Sequence, residues 1–220
     1  VLLLCIAVGA GKDLKTSKAI LNAVWYAESN QPYADEPLFG SRIATGDFNG
    51  DGYLDVAIGA EDYTHDQYCE GAVFVWYGTS TGLSINGDPS NCDWMAESNQ
   101  ANSKMGHDIA VGDFNGDGYD DLAVGAYKYD DGEDDEGAIF IWYGTSYGLG
   151  VNGDPSNCDF IVTSNEEGAC FGEALAVGDF NNDGYDDLAA GAYLDDYYSI
   201  ENAGKGTVFY GVAALVIACV

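Results

Sequence analysis

Short apolar runs recur along this chain, each bounded by glycine and separated from its partner by an acidic turn. Arg42-Ile-Ala-Thr-Gly46 precedes one such turn, and Leu54-Asp-Val-Ala-Ile-Gly59 follows it. Asp108-Ile-Ala-Val-Gly112 with Asp121-Leu-Ala-Val-Gly125, and Ala174-Leu-Ala-Val-Gly178 with Asp187-Leu-Ala-Ala-Gly191, repeat the arrangement. Runs this short, rich in small and β-branched residues, fit buried strands better than helices. Further strands are read at Val73-Phe-Val-Trp-Tyr77 and Ile139-Phe-Ile-Trp-Tyr143, whose aromatic residues recur at one position and are expected to pack between layers. The pattern predicts an all-β protein.

The turns carry the chemistry. They read Asp47-Phe-Asn49-Gly-Asp51-Gly-Tyr53-Leu-Asp55, Asp113-Phe-Asn115-Gly-Asp117-Gly-Tyr119-Asp-Asp121 and Asp179-Phe-Asn181-Asn-Asp183-Gly-Tyr185-Asp-Asp187, each 66 residues after the last. A hard cation such as calcium takes roughly six to eight oxygen ligands at about 2.3–2.6 Å. Side chains at positions 1, 3, 5 and 9, with the Tyr carbonyl at position 7, are candidates for that set. Gly52, Gly118 and Gly184 permit the reversal that returns position 9 to the others. A single Asp/Asn/Gly turn reads equally well as a solvated hairpin tip, but three identical spacings favour metal, about three Ca2+ ions in all. An EF-hand needs Glu at position 12, where this chain has Ile58, Val124 and Ala190.

With Phe39-Gly40, Phe171-Gly172, the three acidic turns, and Gly59-Ala60, Gly125-Ala126 and Gly191-Ala192, the sequence resembles the FG-GAP repeats of integrin α-subunit propellers over about residues 39–210. The resemblance implies β-propeller-type blades of antiparallel strands, with calcium in the hairpin between the first two strands. It implies the ligands Asp47, Asn49, Asp51, Tyr53 and Asp55, and their counterparts in the other two copies. Met105-Gly106 departs from the motif, and Glu61, Tyr127 or Tyr193 stands where the family has Pro. The integrin propeller has seven blades against three turns here, so an integrin-like ligand face does not follow.

Net charge is −30, with seven Lys plus Arg, which excludes nucleic acid and anionic membrane as electrostatic partners. The run Asp130-Asp-Gly-Glu-Asp-Asp-Glu136 reads as a solvated loop. Such acidity, 30 glycines and six cysteines suit an extracellular or secreted protein. Six cysteines allow fifteen pairings. Cys92 and Cys158 occupy equivalent repeat positions, with Cys69 and Cys170 as possible partners. No C-x-x-C zinc pattern and no N-x-[ST] sequon occurs.

Val1-Leu-Leu-Leu-Cys5-Ile-Ala-Val8 has the apolar character of a signal peptide without its Met or basic start, and is too short to span a bilayer. It aligns better as a repeat strand, Leu4–Ala10 matching Leu54–Ala60, while Val216-Ile-Ala-Cys219 matches Arg42–Thr45. The expected organisation is one domain over 1–220: a partial blade at 1–38, repeats at 39–104, 105–170 and 171–210, and a terminal strand at 211–220 that completes a split blade. If Thr45 faces Asp55 across the turn, then Cys219 faces Cys5, and a disulfide joins the ends. Such a join closes a ring within one chain or links chains head to tail.

Val8-Gly-Ala-Gly-Lys12-Asp13 is no phosphate loop, because Asp13 stands in the Ser/Thr position. His65 and His107 lack a nucleophile context and read as ordinary loop residues. The expectation is a calcium-binding extracellular structural or adhesion module without catalysis, with protein partners or self-association through terminal strands and no membrane insertion. One alternative is a subunit of a head-to-tail filament. Another is a non-catalytic repeat domain of a larger secreted hydrolase.

Overall fold

A computed structural model describes residues 25–31, 37–83, 86–196 and 201–213. The described residues contain strands and no helix. The first blade is an antiparallel sheet in the order β1 (Arg42–Gly46), β2 (Asp55–Ala60), β3 (Ala72–Trp76), β4 (Trp94–Glu97). The second consists of β5 (Met105–Gly112), β6 (Asp121–Ala126), β7 (Ala138–Trp142) and, after the short β8 (Ser146–Leu149), β9 (Phe160–Thr163). The third contains β10 (Phe171–Gly178), β11 (Asp187–Ala192) and β12 (Lys205–Phe209). Three FG-GAP-like units thus fold as three antiparallel blades.

The second strand of each of the first two blades is sandwiched on both faces, which explains its continuous apolar run: all six residues of β2 and of β6 are buried, whereas β11 is partly open. Packing is between blades. Ala57, Val73 and Val75 of the first blade meet Leu122, Val124 and Phe140 of the second in one cluster. Ala123, Ile139 and Ile141 meet Leu188, Ala190 and Ala192 in the next. Trp94 and Trp142 lie edge to face at 5.4 Å in the first of these seams, while Trp76 packs with Trp25 in a separate cluster of the first blade. On the far side of the third blade the pattern changes: Phe180 is 53% exposed, against 0% for Phe48 and 7% for Phe114 at the same position.

Backbone contact sets the blade spacing. A Cβ on Gly59 would stand 2.2 Å from the Gly106 carbonyl oxygen, and one on Gly125 2.0 Å from that of Gly172. The Gly-Ala pair of one repeat is therefore glycine because the Phe-Gly or Met-Gly turn of the next lies against it.

Three expectations change. The hairpin register pairs Gly46 with Asp55 and Thr45 with Val56, one residue away from the expected Thr45–Asp55 pair. A one-residue slip alternates the faces, so the register argument for linking Cys5 to Cys219 fails, and both cysteines lie outside the described residues, as do 1–24 and the run 216–219 expected to form a strand. Cys69, Cys92, Cys158 and Cys170 are free thiols, so neither of the possible pairings forms. Cys69 and Cys170 sit in buried turns with positive φ, while Cys92 and Cys158 donate to the carbonyls of Pro89 and Pro155 on a different loop. Trp25-Tyr26 belongs to an outer-strand segment. Ala27 bridges Gly87 as Ala96 bridges Gly153, and Trp25 meets Trp76 as Trp94 meets Trp142. Finally, the run 130–136 is not wholly solvated: Glu136 is fully buried.

Candidate metal centre

Each acidic turn joins the first two strands of its blade, because β1, β5 and β10 end on the glycine before position 1 and β2, β6 and β11 begin at position 9. Left-handed backbone at positions 4 and 6 folds the turn back on itself, through Gly50 and Gly52, Gly116 and Gly118, and Asn182 and Gly184. In the first loop, Asp47 accepts the Asp51 amide on Oδ1 at 3.0 Å and the Gly52 amide on Oδ2 at 2.8 Å. Asn49 Oδ1 also accepts the Asp51 amide, at 2.9 Å, and Asp51 Oδ1 accepts that of Tyr53. Asp113, Asn115 and Asp117, which accepts the Tyr119 amide, repeat these bonds. So do Asp179, Asn181 and Asp183, which accepts that of Tyr185.

Position 9 is the anchor. Asp55, Asp121 and Asp187 are fully buried. Asp55 accepts the Gly78 amide at 2.8 Å and the Phe48 amide at 2.9 Å, binding the turn to the end of the third strand. Asp121 does the same with Gly144 and Phe114, and Asp187 with Gly211 and Phe180. Burial pushes the Asp55 and Asp121 carboxyls up to about 7, against the lowering effect of their amide bonds. Repulsion from Asp47 and Asp51, and from Asp117 and Asp113, adds to that rise.

The three carboxylates of a loop therefore feel one another's charge. Their oxygens nevertheless turn toward loop amides: positions 1, 5 and 9 do not form a group within 4.8 Å, whereas His65, Asp66 and Glu97 do, among the described residues. Opposite oxygens of a calcium shell stand roughly 4.8 Å apart, so these carboxylates would have to draw together, giving up loop amides, to share one ion. An all-oxygen donor set with three carboxylates, one of them buried, fits a hard divalent cation.

Adjacent loops are stitched together by residues the repeat pattern alone did not single out. Asp120 Oδ2 accepts the Asp47 amide at 2.7 Å, and Asp186 Oδ2 accepts the Asp113 amide at 3.0 Å. The Tyr119 ring lies on Gly50 and the Tyr185 ring on Gly116, leaving no room for a Cβ at either glycine. Tyr53, at the same position in the first loop, is 43% exposed. At the inner strands, Asp108 bridges blades, accepting from Arg42 Nε at 3.1 Å and the Leu175 amide at 2.7 Å.

A model of the FG-GAP repeat matches residues 39–76, 105–142 and 171–210. The chain belongs to the FG-GAP repeat family. Over 170 residues it is 38% identical to integrin alpha-PS2 of Drosophila melanogaster, covering 72% of this chain and 12% of that protein. Over 162 residues it is 34% identical to phosphatidylinositol-glycan-specific phospholipase D of Rattus norvegicus, covering 71% of this chain and 18% of that protein. Integrin alpha-4 of Xenopus laevis is 32% identical over 164 residues, at 72% and 14%. This FG-GAP chain thus spans less than one-fifth of the length of these relatives. Among its described residues, no helix is long and apolar enough to cross a membrane.

Proposed function

We propose that this FG-GAP chain is a calcium-binding structural module, extracellular and without catalysis, that presents contact surfaces for adhesion. The observation behind this reading is the threefold recurrence of one oxygen-rich turn with a buried carboxylate at its base. In each turn the position 1, 3, 5 and 9 side chains and the position 7 carbonyl would hold the ion. The ion would supply positive charge between carboxylates that otherwise repel, and so order the hairpin tip.

The residues do the scaffolding. Asp55 ties its turn to Gly78, Asp120 ties that turn to the next blade, and the seam Trp residues lock the blades together. Likeness to integrin alpha chains supports the extracellular and adhesive parts of the reading. Calcium titration followed by calorimetry tests it: about three ions per chain are expected, and Asp51→Ala, Asp117→Ala and Asp183→Ala should each remove about one. Binding of no calcium at millimolar concentration overturns it.

A second reading rests on the comparable likeness to phosphatidylinositol-glycan-specific phospholipase D. Here the same module is a non-catalytic part of a larger secreted hydrolase. Phospholipase activity from the full reading frame, absent from residues 1–220 alone, would select it. Self-association of the chain through its ends, as a ring or filament, is a further proposal that light scattering at varied calcium would test.

A further inference from the structure

Outside the acidic turns, one cluster in the first repeat has ligand chemistry of a different kind. His65 Nδ1 lies 3.0 Å from Glu97 Oε2 and 3.9 Å from Asp66 Oδ2, and the ligand atoms of all three lie within 4.8 Å of one another. Glu97 Oε2 is sealed from solvent, and its near neighbour is the His65 ring.

Beneath the turn that carries His65 and Asp66 sits Glu70, fully buried. Its Oε1 accepts the amides of His65, Asp66 and Gln67 at 2.9–3.1 Å. Its other oxygen, Oε2, is buried with no hydrogen-bond partner. Burial, followed by the charge of Glu70, raises the Glu97 carboxyl above its ordinary range, against the lowering effect of His65.

The second repeat shows what this place looks like when it is purely structural. Glu136 occupies the Glu70 position, and its Oε2 accepts the Asn165 amide at 2.9 Å. Asp131 replaces His65 and Thr163 replaces Glu97. The first repeat thus leaves a buried carboxylate oxygen unpaired and adds an imidazole and a second carboxylate at the same spot. Unpaired buried charge of this kind is costly unless a cation compensates it.

We propose that His65, Glu97 and Asp66, backed by Glu70, form a fourth cation site, one that takes a borderline divalent metal of the zinc type rather than calcium. Imidazole nitrogen is a good ligand for zinc, which binds nitrogen and carboxylate oxygen at about 2.0–2.2 Å, and a poor one for calcium. Tetrahedral zinc ligands stand roughly 3.4 Å apart, between the two separations found here. His65 and Asp66 are more than half exposed and open the site to solvent, while Glu97 is largely covered and Glu70 is fully buried under the turn.

The test uses the whole chain in saturating millimolar calcium, titrated with zinc against a chromophoric chelator. One zinc ion per chain is expected beyond the calcium complement, with at least about tenfold weaker binding in His65→Ala and in Glu97→Gln. Asp131→Ala, at the equivalent place in the second repeat, and Asp51→Ala, in the acidic turn, should leave zinc affinity unchanged. Cobalt substitution should add visible absorption bands that His65→Ala removes. Zinc that calcium displaces, or that His65→Ala retains at full affinity, overturns the proposal. Far-ultraviolet dichroism of each variant separates loss of the site from loss of the fold.

Discussion

Asp120 accepts the backbone amide of Asp47 from across the blade boundary at 2.7 Å, which places a carboxylate of the second acidic turn against the first residue of the turn before it. The Asp120 amide returns a bond to the Asp47 carbonyl at 3.2 Å, and Asp186 makes both bonds with Asp113. The turns are therefore a stacked series. Asp120→Ala leaves the Asp47 amide without its acceptor, so it should cost about 1–3 kcal/mol in urea unfolding. It should also weaken calcium at the first turn, because Asp47 is the position 1 ligand. Leu54 fills the same position in the first turn and is 65% exposed, so Leu54→Ala should change neither quantity measurably.

Removing calcium should loosen all three hairpin tips. A ligand at a thousandfold excess over its dissociation constant stabilises the folded state by about 4 kcal/mol per site. Scanning calorimetry with and without chelator should therefore show a large fall in Tm. Asp183→Ala, in the third turn, should remove about one-third of that difference, and an unchanged Tm in chelator would contradict the assignment.

The acidic turns were readable from sequence because their ligands lie within nine positions of one another, where spacing alone specifies geometry. The recurring strand aromatics were readable for a similar reason, since Trp76 and Trp142 recur at one strand position. What escaped lies farther apart. Asp120 meets Asp47 across 73 residues; Asp186 recurs at its position, but the first turn has Leu54 there, and spacing alone does not say that the side chain reaches the preceding turn. Trp25-Tyr26 has the same residue pair as Trp76-Tyr77, yet its neighbours Ala27 and Glu28 bond to Gly87 as an outer strand does. Convergence of His65 and Glu97 needed the β3–β4 pairing, which carries Glu97 back opposite Ala72.

Protons and calcium should act on the same buried carboxylates with opposite sign. Asp55 and Asp121 are pushed up to about 7, well above the ordinary unfolded value of about 3.9. In calcium-free protein their contribution to stability is complete below about pH 4 and is lost as pH rises through about 7. Tm measured after chelator treatment and dialysis should fall from pH 5 to pH 8. With calcium present the order reverses, because binding needs the ionised form and weakens as pH drops below about 7. Parallel curves with and without calcium would show that these carboxylates do not meet the ion.

Blade spacing provides the sharpest stability test, because the three repeats supply their own control. At Gly59 and Gly125 an added methyl group would stand 2.2 Å and 2.0 Å from a backbone carbonyl oxygen of the next blade. Backbone cannot swing aside as a long side chain can, so the blades must part. Gly59→Ala and Gly125→Ala should each cost about 1–3 kcal/mol or more, the usual range for overpacking. At the equivalent Gly191 the nearest atom is the Ala174 Cβ at 3.6 Å, an ordinary contact. Gly191→Ala should be neutral or slightly stabilising, since it also restricts the unfolded chain. Urea midpoints of the three variants decide the matter: equal losses at all three positions would mean that the glycines matter for their own strands and not for the fit between blades.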